Sequence, residues 1–165
     1  MSKKQSIENL QIALSMELTA THQYQLHAGV LDDWGMTLLA SQMREEMHEE
    51  LGHSQVFMSR IMFLKGDPEM KLAKTPERAT TLKEMFESDL ADEREAIEFY
   101  TKSSLHAFEC GDLGSRAIFE RIALEEEHHM SWLELQLDLL ERMGESAFIS
   151  KYIPSPGSES SDQPA

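Results

Sequence analysis

The feature that most restricts this chain is a repeat: Glu17, Glu50 and His53 recur as Glu93, Glu126 and His129 after an offset of 76 residues. Within each copy a lone glutamate precedes a Glu-x-x-His by 33 residues. Tyr24 and Tyr100 obey the same offset of 76. Residues three apart on a helix share a face, so each Glu-x-x-His sends a carboxylate and an imidazole in one direction. The upstream glutamate must then come from a different helix. Two such sets call for four helices, and the arrangement in which they meet is a four-helix bundle holding two metal ions between its helices.

The apolar periodicity agrees. It predicts helices over 6–32, 36–65, 81–110 and 115–143, with a short fifth helix over 145–153. Breaks fall at Asp32-Asp33-Trp34-Gly35, at Gly66 and Pro68, at Gly111-Asp112-Leu113-Gly114 and at Gly144. At about 100° per residue, Leu10, Thr21, Tyr24 and Ala28 share the face of Glu17. Leu39, Met43, Met47, Phe57 and Ile61 form the stripe of Glu50, with His53 on it. Leu82, Phe86, Ile97 and Tyr100 line up with Glu93, and Ile122, Leu133 and Leu140 with Glu126 and His129. Residues 66–80 make a connection long enough to cross a bundle from end to end. The fold class expected is all-α, a four-helix bundle with a long crossover between helices 2 and 3. One domain covers 1–153, and the tail 154–165 (PSPGSESSDQPA) is disordered by composition.

Other pairs share the spacing. Glu45 and His48 also read Glu-x-x-His, but Glu45 lies about 140° from Glu50 around the helix, and Ile12 stands where an upstream glutamate would be. Glu125 and His128 have Asp92 at that interval, yet His128 falls off the apolar stripe, about 120° from Ile122. One Glu-x-x-His alone reads as a surface pair. Two copies on apolar stripes, each matched by a carboxylate from another stripe, read as a site. Burying an unpaired carboxylate costs several kcal/mol or forces a proton onto it. Two divalent ions would neutralise four glutamates and leave both histidines as neutral ligands. Mixed carboxylate and imidazole ligation suits iron or manganese and lacks the thiolates of most structural zinc sites.

Tyr24 reads either as a core tyrosine bonded to a carboxylate or as a tyrosine beside the metals, and Tyr100 likewise. The eleven methionines read as core and interface filler. His22, His27 and His106 lack partners at ligand spacing and read as structural. A net charge of −15 excludes nucleic acid and anionic membrane as partners. No apolar run approaches the ~20 residues of a membrane span. Cys110, the single cysteine, cannot form an internal disulfide, and the first residues lack the apolar stretch of a signal peptide, so the cytoplasm is expected.

The stretches ELTATHQYQLHAGVLDDWG, EEMHEELGHSQVFMSRIMFLKGDP, ESDLADERE and LEEEHHMSWLELQLDLLERMG resemble the bacterioferritin family in order, spacing and flanking sequence, over about residues 5–152. The resemblance implies a ferritin-like bundle assembled into a hollow homo-oligomeric shell that oxidises Fe(II) with O2 or H2O2 and stores ferric mineral. It implies two iron ions per subunit, held by Glu17, Glu50, His53, Glu93, Glu126 and His129. Glu50 and Glu126 would bridge them, with Tyr24 beside the centre. It also implies a ferredoxin-type reductase for iron release. In two places the sequence departs from the family. The methionine that binds haem, directly after the bridging glutamate of helix 2, is here Leu51, and Met47 lies a turn, about 5.4 Å, away. No haem is expected in the family's usual place. Glu45 and Glu49 stand where the family binds iron on the inner surface. The fifth helix favours 24 subunits over 12, although Pro154 shortens it.

Three other readings remain in view. A peroxide-scavenging di-iron protein of the rubrerythrin kind needs a Cys-x-x-Cys site that one cysteine cannot make. A DNA-protecting mini-ferritin places its metals between subunits, whereas this chain carries a complete set. A non-catalytic helical assembly module would bind no stoichiometric metal.

Overall fold

A computed structural model describes residues 3–154, so the expectation of a disordered tail lies outside the described residues from 155 onward. The regular elements are five helices: α1 Lys3–Asp33, α2 Thr37–Phe63, α3 Leu82–Glu109, α4 Leu113–Met143 and α5 Glu145–Ser150. Among the described residues no helix is long and apolar enough to cross a membrane.

The helix ends follow from local hydrogen bonding. At the end of α1, Gly35 adopts φ 80° while Met36 N–H bonds back to Leu31 O at 2.9 Å, the closing pattern of a left-handed cap. At the end of α2 the same pattern recurs, with Gly66 N–H on Ile61 O at 2.9 Å, but the left-handed residue is Lys65, φ 68°. The helix therefore stops at Phe63 and not at Lys65, as expected from Gly66. Gly66 is needed for another reason: a Cβ there would lie 2.9 Å from Ile7 Cγ2 and 3.0 Å from Ile61 Cγ2, because α2 ends pressed against the start of α1. Thr81 caps α3 by accepting from Glu84 N–H at 3.1 Å. Asp112 caps α4 by accepting from Ser115 N–H at 3.1 Å, which starts that helix two residues before the expected 115.

The connection from α2 to α3 is clipped along α1. The Gln11 amide accepts from Glu69 N–H at 2.8 Å and donates to Glu69 O at 2.6 Å. Thr19 Oγ1 accepts from Ala73 N–H at 2.8 Å, and the Gln23 amide makes the same double contact with Glu77, at 2.9 and 2.8 Å. The crossover thus ascends α1 in the direction of its chain. Since α2 returns to the start of α1, the crossover carries the chain to the other end, and α3 runs parallel to α2. This is the long connection that the sequence predicts.

Two apolar cores result. One contains Leu31, Leu39, Met43, Phe86, Leu133 and Phe148. The other contains Leu10, Leu14, Phe57, Ile61, Tyr100, Phe119 and Ile122. On every long helix the six repeated glutamates and histidines fall between them. The fifth helix ends at Ser150, short of the expected 153. There the chain turns so that Tyr152 Oη donates to Gln136 Oε1 at 2.6 Å, while Phe148 is buried edge-on against Phe86 at 5.9 Å.

Gly66→Ala should destabilise the fold by about 1–3 kcal/mol, the usual result of overpacking. Urea denaturation of Gly66→Ala, Ile7→Ala and the double variant should show the pair costing less than the sum of the singles, because Ile7→Ala removes the closer of the two clashes.

Candidate metal centre

Glu17, Glu50, His53, Glu93, Glu126 and His129 are all buried, none more than 6% exposed. They form two overlapping groups whose ligand atoms lie within 4.8 Å of one another: Glu17, Glu50, His53 and Glu126, and Glu50, Glu93, Glu126 and His129. Glu50 and Glu126 belong to both. In the first, His53 Nδ1 lies 3.1 Å from Glu50 Oε2, 3.0 Å from Glu126 Oε1 and 3.5 Å from Glu17 Oε2. In the second, His129 Nδ1 lies 3.0 Å from Glu50 Oε1, 2.9 Å from Glu126 Oε2 and 3.8 Å from Glu93 Oε1. Each shared carboxylate therefore offers one oxygen to each imidazole. The rings lie nearly parallel, 6.4 Å apart.

These atoms fit metal ions better than they fit one another. Glu50 Oε1, both oxygens of Glu126 and both nitrogens of His129 are buried without an aligned hydrogen-bond partner, although neighbours approach within about 3 Å. Buried polar atoms are rarely left so. Atoms that crowd together without pointing at each other converge on common points, as ligands do around a cation.

The outer contacts complete the arrangement. Tyr24 donates to Glu93, and Tyr100 donates to Glu17, each reaching across between α1 and α3. The outward nitrogen of His53, Nε2, meets Glu125 at 3.0 Å, and that of His129 meets Glu49 at 3.3 Å. Glu49 and Glu125 are themselves related by the offset of 76. His129 Nε2 has a second partner, Glu46, at 2.9 Å. A carboxylate on the far nitrogen fixes the ring and strengthens the near nitrogen as a donor to metal.

Electrostatics reflect the crowding. Burial pushes the Glu50 carboxyl well up, reinforced by Glu126 and Glu17. Burial raises Glu93 to about 8. Both imidazoles are driven upward by their carboxylate neighbours, against the opposing effect of burial. Glu126 goes the other way, to about 2, because the close approach of His129 and His53 outweighs its desolvation. Burial raises both tyrosines well above 10, so each remains a donor. The upward shifts of Glu50, Glu93 and both imidazoles show how strongly this cluster favours added positive charge.

A cavity of about 170 Å³ opens from the crossover side and reaches all four glutamates and both tyrosines, but neither histidine. The site thus has an open side between α1 and α3.

The other positions sort as follows. Glu45, His48 and His128 are exposed, as their helical phase predicts. Glu125, set aside with His128, is nonetheless drawn in as the partner of His53. Glu46 is buried and was not foreseen, although it lies one turn before Glu50 on the same stripe. His27 is structural but not isolated: it contacts Asp89 at 3.0 Å in the interior. Leu51 is 51% exposed, while Met47 is half-buried against the core.

Known proteins resemble this chain over most of its length. Residues 7–143 match the model of the ferritin-like domain family. A bacterioferritin from Rhodobacter capsulatus is 38% identical over 142 residues, covering 86% of this chain and 88% of the relative. One from Brucella melitensis is 39% identical with the same coverage, 86% and 88%. A solved R. capsulatus bacterioferritin, described with a metal-free dinuclear site and haem iron, superimposes with a TM-score of 0.91. That superposition has 34% identity and covers 97% of this chain and 99% of that one. On fold, site and sequence together, the chain belongs to the bacterioferritin family of ferritin-like proteins.

Proposed function

We propose that the chain is a subunit of an iron-storage shell with ferroxidase activity, using a dinuclear iron centre within each bundle. What carries this reading is the pair of ligand groups that share Glu50 and Glu126. Glu17 and His53 would hold one ion, Glu93 and His129 the other, and the two shared carboxylates would span both. Bound iron would supply the redox chemistry, each Fe(II) giving one electron to O2 or H2O2.

The protein's part is to prepare that site. Tyr100 and Tyr24 hold Glu17 Oε1 and Glu93 Oε1, which steadies the two unshared carboxylates. Glu125 bonds the outer nitrogen of His53, and Glu46 lies 2.9 Å from that of His129, so that Nδ1 of each ring faces inward. Because Glu50, Glu93 and both imidazoles are all shifted toward their protonated forms, cation binding here would release protons. The open cavity gives small oxidants an approach between α1 and α3. The acidic surface attracts Fe(II), and a ferredoxin-type reductase would return stored iron to solution. A shell of 24 subunits is favoured over 12 by α5. Leu51 offers only hydrocarbon where a thioether would bind haem, so the usual haem place should not be filled.

Glu50→Ala and Glu126→Ala should each slow Fe(II) oxidation by about a hundredfold or more, given that outer partners of metal ligands alone carry ~10–100-fold. Stopped-flow absorbance would measure it, with circular dichroism showing the helices intact. Unchanged kinetics in both would refute the assignment.

Stability of metal-stripped protein should fall as pH rises. His53, His129, Glu50 and Glu93 all have folded-state values raised above their unfolded ones. Their contribution is complete below the unfolded value and is lost as pH climbs through the folded one, which for Glu93 means up to about 8. Scanning calorimetry should show a lower Tm at pH 9 than at pH 6. Two equivalents of Co(II) per chain should reduce that difference.

Native mass measurement of purified protein should give 24 chains, and the same sample, expressed with haem precursor, should show no Soret absorbance. A monomer or dimer would refute the shell. A Soret band at one haem per two chains, lost in Met47→Leu, would show Met47 acting in place of the missing ligand.

A further inference from the structure

The two halves of the site are related by the offset of 76, but what surrounds them is not. Glu46, 2.9 Å from His129 Nε2, has Ile122 as its counterpart, so His53 has no second carboxylate on its outer nitrogen. Glu46 is 8% exposed, and its Oε2 has no aligned hydrogen bond.

A second difference lies beyond Tyr24. The Gln23 amide is oriented by the crossover, since its oxygen accepts from Glu77 N–H and its nitrogen donates to Glu77 O. The remaining hydrogen of that nitrogen points at His27 Nε2, 2.8 Å away, which must therefore be unprotonated. The His27 proton then sits on Nδ1 and is donated to Asp89 Oδ2 at 3.0 Å. Asp89 Oδ2 is thereby fixed as an acceptor, one helical turn before Glu93 and beside Tyr24, and the His27 bond favours its ionised form against the opposing effect of burial. The offset places Ala13 opposite Asp89, Ser103 opposite His27 and Phe99 opposite Gln23. Around Tyr100 the neighbours are instead the rings of Phe57, Phe99 and Phe119, at 5.4, 6.1 and 6.0 Å.

One half is thus set among aromatic rings, while the other carries two additional buried carboxylates. We infer that the two cation subsites are unequal, with the Glu93–His129 half taking the first divalent ion, and that Glu46 and Asp89 set the difference. Added negative charge in a poorly screened interior favours the nearer cation, and Glu46 lies only 2.9 Å from the outer nitrogen of His129. This ordering rests on the dinuclear reading above.

The test is calorimetric titration of the assembled, metal-stripped protein with Co(II). Two classes of site per chain are expected, separated by about tenfold or more in affinity. His129→Ala should remove the tighter class and His53→Ala the weaker. Glu46→Gln, which keeps the side-chain size, should weaken the tighter class by ~10–100-fold and leave the weaker one in place. Asp89→Asn should act in the same direction. Two equal sites in the unaltered protein, or loss of the weaker class in His129→Ala, would overturn the inequality while leaving the dinuclear centre standing. No stoichiometric Co(II) binding at all would overturn both.

Discussion

The structure depends on the burial of four carboxylates at one level of a helical bundle. Water screens such charges on a surface, and inside a fold it cannot. Something positive must accompany them, whether protons shared with two imidazoles or a pair of cations. The two apolar cores, one at each side of this level, make the burial possible by holding the helices rigid while the middle layer remains polar. The compensating charge is then confined to one place, and the ligands around it are fixed before it arrives.

Much of this was legible in the residues. The spacing of Glu17, Glu50, His53 and their repeats carried the site because helices turn with a fixed period. A side chain's direction can then be counted along the sequence. The same counting separated Glu50 from Glu45 and Glu126 from Glu125. The crossover was legible from its length, and the family from its motifs. Helix ends were less so. Lys65 takes the left-handed position, whereas Gly66 is required by the close packing of Ile7 and Ile61 against it.

What the sequence hid lies in contacts between helices. Phase places Glu46 and Glu125 near an apolar face but does not say that an imidazole nitrogen from another helix will meet them. His27 has no partner at ligand spacing, yet it finds Asp89 across 62 positions of sequence. The Gln23 amide, unremarkable on a helix, is oriented by a crossover backbone that no periodicity describes. The repeat itself also misleads slightly, since it preserves the ligands and lets their surroundings diverge.

The clipped crossover has a consequence for how the chain can vary. A connection of this length would ordinarily tolerate insertions, but here Gln11, Thr19 and Gln23 grip its backbone at Glu69, Ala73 and Glu77. Those grips act as a ruler laid along α1. Lengthening the chain before Glu69 leaves the graduations aligned, whereas one extra residue between Ala73 and Glu77 moves a peptide out from under Gln23. That amide is the first link of a line running through His27 to Asp89. The outer strap of the bundle and the polarity of its interior are therefore under one constraint, and natural variation in strap length should be crowded into its first few residues.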